Sequence, residues 1–324
     1  MPRHGPSNLL TEPDGSRATP EVPGVPSDFD EALTAVVRGL PAGLRTRFAP
    51  APTGYLHLGH VANALVVWHV ARTSGGSVVL RIEDHDRQRC RPEYETALLD
   101  DLEALGFVPD EPTIEALQAG ASSAYRQSDD GSVYGEAVAE LERAGHVYAC
   151  DCSRSTFRSG ASTNGGPWSG PGCPGGCFTR GLALDRSGVT LRASLDREME
   201  SWTDLVHGPQ VGAAAPRGDP ALRDQHGNWT YALCVVVDDL RHGIDLVIRG
   251  DDLLDATPVQ ISLGRLLGRA EPPRFLHHPL IHRPDGRKLS KADGDTSIRS
   301  LFDKGVSATT IRVRAAAAIG LRSS

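Results

Sequence analysis

The chain has 324 residues, with 34 basic against 41 acidic side chains and a formal net charge of −7, long enough for one large domain or two modest ones and for a core without disulfides. That acidic balance excludes nucleic-acid binding driven by total charge. No run approaches the roughly 18 to 20 apolar residues of a membrane span, and the start Met1-Pro2-Arg3-His4 has no signal-peptide core, so a soluble, cytoplasmic monomer is expected.

Residues 1–43 are rich in Pro, Gly, Ser and Asp and read as a flexible extension carrying one short helix over 29–40. The folded body is expected to start near Leu44. Extended and helical patterns then alternate: 44–48 extended, 58–73 helical, 77–82 extended, 92–105 helical. This is the order of a parallel sheet wound with helices. Further helices are predicted over 133–144 and 258–267, and buried strands over 231–237 and 246–248. Between them, 153–181 is crowded with Gly, Ser and Pro and cannot form a core alone. The last segment, 308–321, is apolar, and no internal repeat is present.

Two segments could carry chemistry around a polyphosphate. Residues 47–60 run from a strand through a Pro/Gly-rich turn to a helix start, whose open N–H groups and positive dipole suit an anion. His57 and His60 share one side of the first turn, and Gly59 allows close approach to the backbone. Read alone, the same segment is also a helix start with surface histidines. The second is Lys288-Leu289-Ser290-Lys291, flanked by Asp285-Gly286 and Asp293-Gly294. Only three of the 34 basic residues are lysines, Lys288, Lys291 and Lys304, so a pair three apart suggests a need for compact ammonium groups. Taken singly, it reads first as a solvated charge run.

The six cysteines include Cys150-x-Cys152 and, twenty residues on, Cys173-x-x-x-Cys177. Two close pairs around a loop without its own core match a four-thiolate zinc site, with unligated thiols or a redox pair as the alternatives. Cys90 and Cys234 lie outside this pattern and read as structural.

Together, residues 50–60 and 288–292 resemble the HIGH and KMSKS signatures of class I aminoacyl-tRNA synthetases. Arg47-Phe48-Ala49-Pro50-Ala51-Pro52-Thr53-Gly54, Leu80-Arg81-Ile82-Glu83-Asp84, Tyr125-Arg126-Gln127-Ser128, Val236-Val237-Asp238-Asp239 and the run from Val247 through Arg249-Gly250-Asp251-Asp252 resemble the glutamyl-tRNA synthetase catalytic domain, in order over about 45–305. Only 33 residues follow Lys291, so the chain is most similar to the truncated paralogues of that family, which attach glutamate to the queuosine base of tRNA(Asp).

The resemblance implies an α/β fold: a Rossmann-type doubly wound parallel sheet with an inserted zinc-binding subdomain and a short helical C-terminus. The expected division is a flexible extension over 1–43, a first catalytic half over 44–149, a zinc-binding insertion over 150–230, a second half over 231–282, and the lysine loop with C-terminal helices over 283–324. It further implies ATP-dependent activation of L-glutamate, with Mg2+, and transfer to the anticodon stem-loop of tRNA(Asp). His57, Gly59 and His60 are placed against ATP, and Lys288 and Lys291 on the developing phosphate charge. Arg47, Phe48, Ala49, Pro50, Ala51, Glu83, Tyr231 and Arg249 are placed around glutamate: the arginines on carboxylate, Glu83 on the ammonium. Zinc falls to Cys150, Cys152, Cys173 and Cys177, with Cys173 standing where relatives carry a tyrosine. Ala51 and Ala292 depart from the usual polar residues without removing a charge the chemistry needs.

Residues 283–322 hold nine basic and four acidic side chains and form the best candidate for a phosphate-contacting face. Two other functions fit the same residues: a glutamate-activating ligase acting on a small amine or carrier protein, and an inactive paralogue serving as a binding module.

Overall fold

The computed structural model describes residues 29–153, 156, 170–282 and 296–321. In chain order these form α1 (Phe29–Arg38), β1 (Arg45–Phe48), α2 (Leu58–Thr73), β2 (Ser77–Leu80), α3 (Pro92–Ala104), α4 (Ile114–Gln118), α5 (Gly131–Arg143) and β3 (Val147–Cys150). Then follow β4 (Thr190–Ala193), β5 (Met199–Asp204), β6 (Gly208–Ala213), β7 (Ala221–Arg223), α6 (Tyr231–Arg241), β8 (Leu246–Gly250), α7 (Thr257–Leu266), β9 (Arg274–His278), α8 (Ile298–Asp303) and α9 (Ala308–Ala318).

A six-stranded sheet runs β2-β1-β8-β9-β5-β6. Its first five strands are mutually parallel, and β6 returns antiparallel to β5. The parallel strands are short, and the central ones are largely buried because helices cover both faces; β8 is buried throughout. Open sheets of this kind bind ligands outside the carboxyl ends of their strands. Phe48, Glu83 and Arg249 therefore lie at or just beyond one rim.

The main core joins α1, α2, α3, the sheet and α9, through side chains such as Phe29, Leu33, Val66, Leu98, Ile248 and Ile311. The short helix expected within the extension forms over Phe29–Arg38, and its Phe29, Leu33 and Val37 face is buried. The packed body thus includes Phe29 and does not wait for Leu44.

Two expectations are corrected. Residues 231–237 form the first turns of helix α6, not a buried strand. A short apolar run shows no period that separates a buried strand from a buried helix, and here Leu233 through Asp239 are all buried, so the run packs on several sides. Secondly, 150–230 is divided between two sheets. The strands β3, β4 and β7 make a separate antiparallel sheet, whereas β5 and β6 extend the main one.

Candidate active site

The turn after β1 leads into α2 through a reciprocal cap. His57 Nδ1 accepts the Gly59 N–H at 3.1 Å, and the His57 N–H is donated to His60 Nδ1 at 3.1 Å. The rings lie 3.9 Å apart between centroids. Since both Nδ1 atoms accept, the neutral rings carry their protons on Nε2. A Cβ at position 59 would approach His57 Cε1 to 2.9 Å, so glycine is required for this cap. The two histidines thus close the helix start and present N–H donors beside its positive dipole. Downstream, Ser297 bridges to His57 and the Ile298 N–H is donated to Leu56 O at 2.8 Å. The chain therefore re-enters the described structure against this same turn. Lys288, Lys291 and Ala292 lie outside the described residues.

At the rim, Arg47 and Arg249 stand on the adjacent parallel strands β1 and β8. Arg47 donates from Nη1 to Ile248 O at 3.2 Å and from Nε to Asp239 Oδ1 at 3.1 Å. Arg81, wholly buried, reaches Asp239 Oδ1 at 2.7 Å and Glu83 Oε1 at 2.9 Å. Burial alone would raise the Asp239 carboxyl, but Arg47 and Arg81 hold it below the ordinary carboxylate range. Glu83 is 6% exposed and thus shares its charge with a buried arginine.

Arg249 differs from both. It is 3% exposed, and its direct partners are neutral: Nε to His277 Nε2 at 2.9 Å, Nη1 to Gln260 Oε1 at 2.6 Å, and Nη2 to Thr257 Oγ1 at 2.8 Å. Among the described residues no carboxylate oxygen lies within ion-pair distance of it. Burial chiefly pulls it below the usual guanidinium range, and the Arg47 charge adds to that, while the Tyr231 hydroxyl and the more distant Asp239 carboxylate offset part of it. A buried cation without an adjacent anion is costly unless an anion is supplied.

The structure thus brings Arg47, Glu83, Tyr231 and Arg249 to one rim, with Phe48 buried at the end of β1 and Ala49, Pro50 and Ala51 continuing into the turn. Glu83 N–H is donated to Pro50 O at 3.1 Å, tying the two strand exits together. Sequence reading assigned no role to Arg81, Asp239, His277, Gln260 or Thr257. The first two lay within motifs already singled out, and the adjacent acids Asp238 and Asp239 after a run of valines were the signal that charge is buried there.

Cys150, Cys152, Cys173 and Cys177 place their sulfurs within 4.8 Å of one another. A tetrahedral zinc with bonds of about 2.3 Å holds its sulfurs about 3.8 Å apart, so the donor set fits that ion. Cys173 is pushed down to about 4, chiefly by the hydrogen bond from Cys150 and also by that from Tyr148. Cys90 and Cys234 are buried away from this cluster.

A family model described as the catalytic domain of class I tRNA synthetases (E and Q) matches residues 43–314. A Glutamyl-Q tRNA(Asp) synthetase of Symbiobacterium thermophilum is 40% identical over 273 residues, covering 82% of this chain and 83% of that protein. One from Rhodobacter capsulatus is 36% identical, covering 82% of this chain and 98% of its own. Glutamate--tRNA ligase 2 of Cereibacter sphaeroides is 37% identical, with 81% of this chain and 57% of that protein covered. Among solved structures, a glutamate tRNA ligase from Elizabethkingia meningosepticum in complex with its amino acid is 29% identical with a TM-score of 0.63. The match takes in 78% of this chain and 52% of that one, so the chain spans about half the length of the solved structure.

Proposed function

The chain belongs to the class I tRNA synthetase (E and Q) catalytic-domain family and, within it, to the glutamyl-Q tRNA(Asp) synthetases, and from that footing we propose that it activates L-glutamate with ATP and transfers it to the queuosine base in the anticodon stem-loop of tRNA(Asp). The observation that carries the reading is Arg249: a buried cation at a strand rim, held by neutral partners and lacking a direct counter-anion among the described residues. A substrate carboxylate supplies one.

In this reading Arg249 and Arg47 take carboxylate charge, Glu83 the α-ammonium, and Tyr231 closes the pocket, with the backbone of 47–51 as its floor. The activating step is attack by the glutamate α-carboxylate on the α-phosphorus of ATP, with pyrophosphate leaving. The nucleophile is already an anion, so no strong base is needed and the protein's contribution is positioning and charge stabilisation. His57 and His60 offer Nε2–H donors to phosphate at the α2 N-terminus, beside Gly59. Lys288 and Lys291 steady the charge that grows on the phosphates, and Mg2+ accompanies the nucleotide. Zinc, held by Cys150, Cys152, Cys173 and Cys177, serves structure: it ties the end of β3 to the loop that follows.

The test offers radiolabelled glutamate and ATP to tRNA(Asp) with and without queuosine. Label on the queuosine-containing tRNA alone is expected. Glutamate-dependent ATP–pyrophosphate exchange without labelling of either tRNA would instead favour a small amine or carrier protein as acceptor. Absence of the exchange itself would leave the chain as a binding module.

A further inference from the structure

Arg249 is steered by a chain of groups that begins outside the two catalytic halves, at Asp204 on β5. Asp204, at the end of β5, and His277, on β9, are both wholly buried. His277 Nδ1 lies 2.6 Å from Asp204 Oδ2, and His277 Nε2 lies 2.9 Å from Arg249 Nε. A guanidinium only donates, so Nε2 must accept and the ring proton must sit on Nδ1, where Asp204 receives it. The other carboxylate oxygen, Oδ1, accepts the Val206 and His207 N–H groups, each at 3.0 Å. Every acceptor in the series is thus committed in one direction.

The consequence falls on the fork. Three of the five Arg249 N–H groups are held by His277, Gln260 and Thr257, and the Phe275 ring lies 5.4 Å from the guanidinium carbon. One N–H on each Nη remains for the Tyr231 hydroxyl, which hydrogen-bonds the guanidinium, and for a ligand. A carboxylate reaching this end of the fork meets charge-assisted N–H donors.

We infer that Asp204 and His277 are positioning residues for the substrate carboxylate: Asp204 sets the His277 tautomer, and that tautomer aims the Arg249 fork. The inference rests on the glutamate reading given above. It extends the site to β5 and β9, and it gives the β5–β6 extension of the sheet a part in substrate recognition.

Asp204→Asn isolates the effect. Its Oδ1 keeps the Val206 and His207 bonds, while its amide donates to His277 Nδ1 and forces the ring proton onto Nε2, donor against donor at Arg249. In glutamate-dependent ATP–pyrophosphate exchange, KM for glutamate should rise on the order of tenfold to a hundredfold, with KM for ATP within about threefold of the unaltered chain. His277→Leu should do the same. His277→Gln, whose Oε1 accepts from Arg249 and whose amide donates to Asp204, should restore KM to within about fivefold. Nitrogen-15 NMR should find the Nδ1–H tautomer of His277 in the unaltered chain and the Nε2–H tautomer in Asp204→Asn. An unchanged glutamate KM in Asp204→Asn, or equal rises for glutamate and ATP, overturns the inference. No exchange by the unaltered chain removes the glutamate reading and the substrate half of this one, while NMR still decides whether Asp204 sets the tautomer.

Discussion

Asp239 sits between two buried guanidiniums, 3.1 Å from Arg47 Nε and 2.7 Å from Arg81 Nη1. Its neighbour Asp238, also wholly buried, meets Arg241 Nε at 3.0 Å and the Tyr134 hydroxyl at 3.0 Å. Removing one partner from such a set leaves an uncompensated buried charge, which costs about 3 to 5 kcal/mol, far more than breaking a surface pair. Asp239→Asn is therefore expected to lower the unfolding free energy by about 3 kcal/mol or more in urea titration. Arg72→Ala, which breaks the exposed pair with Asp110, should cost under about 1 kcal/mol. Equal effects from the two would mean that Asp239 is not the keystone of the rim. These residues were partly legible beforehand. Arg47, Glu83 and Arg249 stood out in their motifs, but the residues that hold them are up to 201 positions away, as Ile248 is from Arg47, and sequence spacing does not report that pairing.

Helix α6 shows why an element can be misread while its residues are recognised. Val235-Val236-Val237 favours a strand by β-branching, yet the segment must fill the space between α5, α7 and the β3–β4–β7 sheet, and tertiary packing overrides propensity. The β3–β4–β7 sheet illustrates the opposite case, an element predicted through its ligands. Leu191, Ala193 and Leu222 anchor it on α5, α6 and α7, but the end that carries the cysteines gathers only Tyr148 and the four thiols, too few apolar side chains to hold that end alone. Zinc binding then counts directly as folding free energy. One zinc per chain is expected by atomic absorption, with a fall in thermal midpoint of several degrees on chelation. Cys173→Ser should reduce both metal content and midpoint, whereas Cys90→Ser should leave metal content unchanged. A full zinc complement in Cys173→Ser would remove that sulfur from the set.

Across the whole molecule, the N-terminal helix α1 is as much part of the core as any strand. Phe29, Leu33 and Val37 are each at most 4% exposed, and burying such side chains contributes about 1.5 to 3 kcal/mol apiece, against a total stability of about 5 to 15 kcal/mol. A chain beginning at Leu44 is thus expected to lose most of its stability, read as a thermal midpoint lower by 10 °C or more, or as failure to fold. Leu33→Ala in the intact chain should cost about 2 to 4 kcal/mol, and a midpoint unmoved by either change would put α1 outside the core. The helix was legible in the sequence but its place in the core was not, because the surrounding Pro, Gly and Ser read as an extension and no local pattern says what its apolar face packs against. Among the described residues no helix is long and apolar enough to cross a membrane. The sequence by itself determined the alternating α/β order, the histidine turn and the cysteine pairs, because each depends on local period or local spacing; the arginines of the rim were placed by resemblance. The tertiary structure alone decided that β5 and β6 join the main sheet, that the valine run is a helix, and that Asp204 and His277 reach Arg249. Those outcomes depend on which buried surfaces and charges find one another across more than 70 residues of chain, and no short-range pattern encodes them.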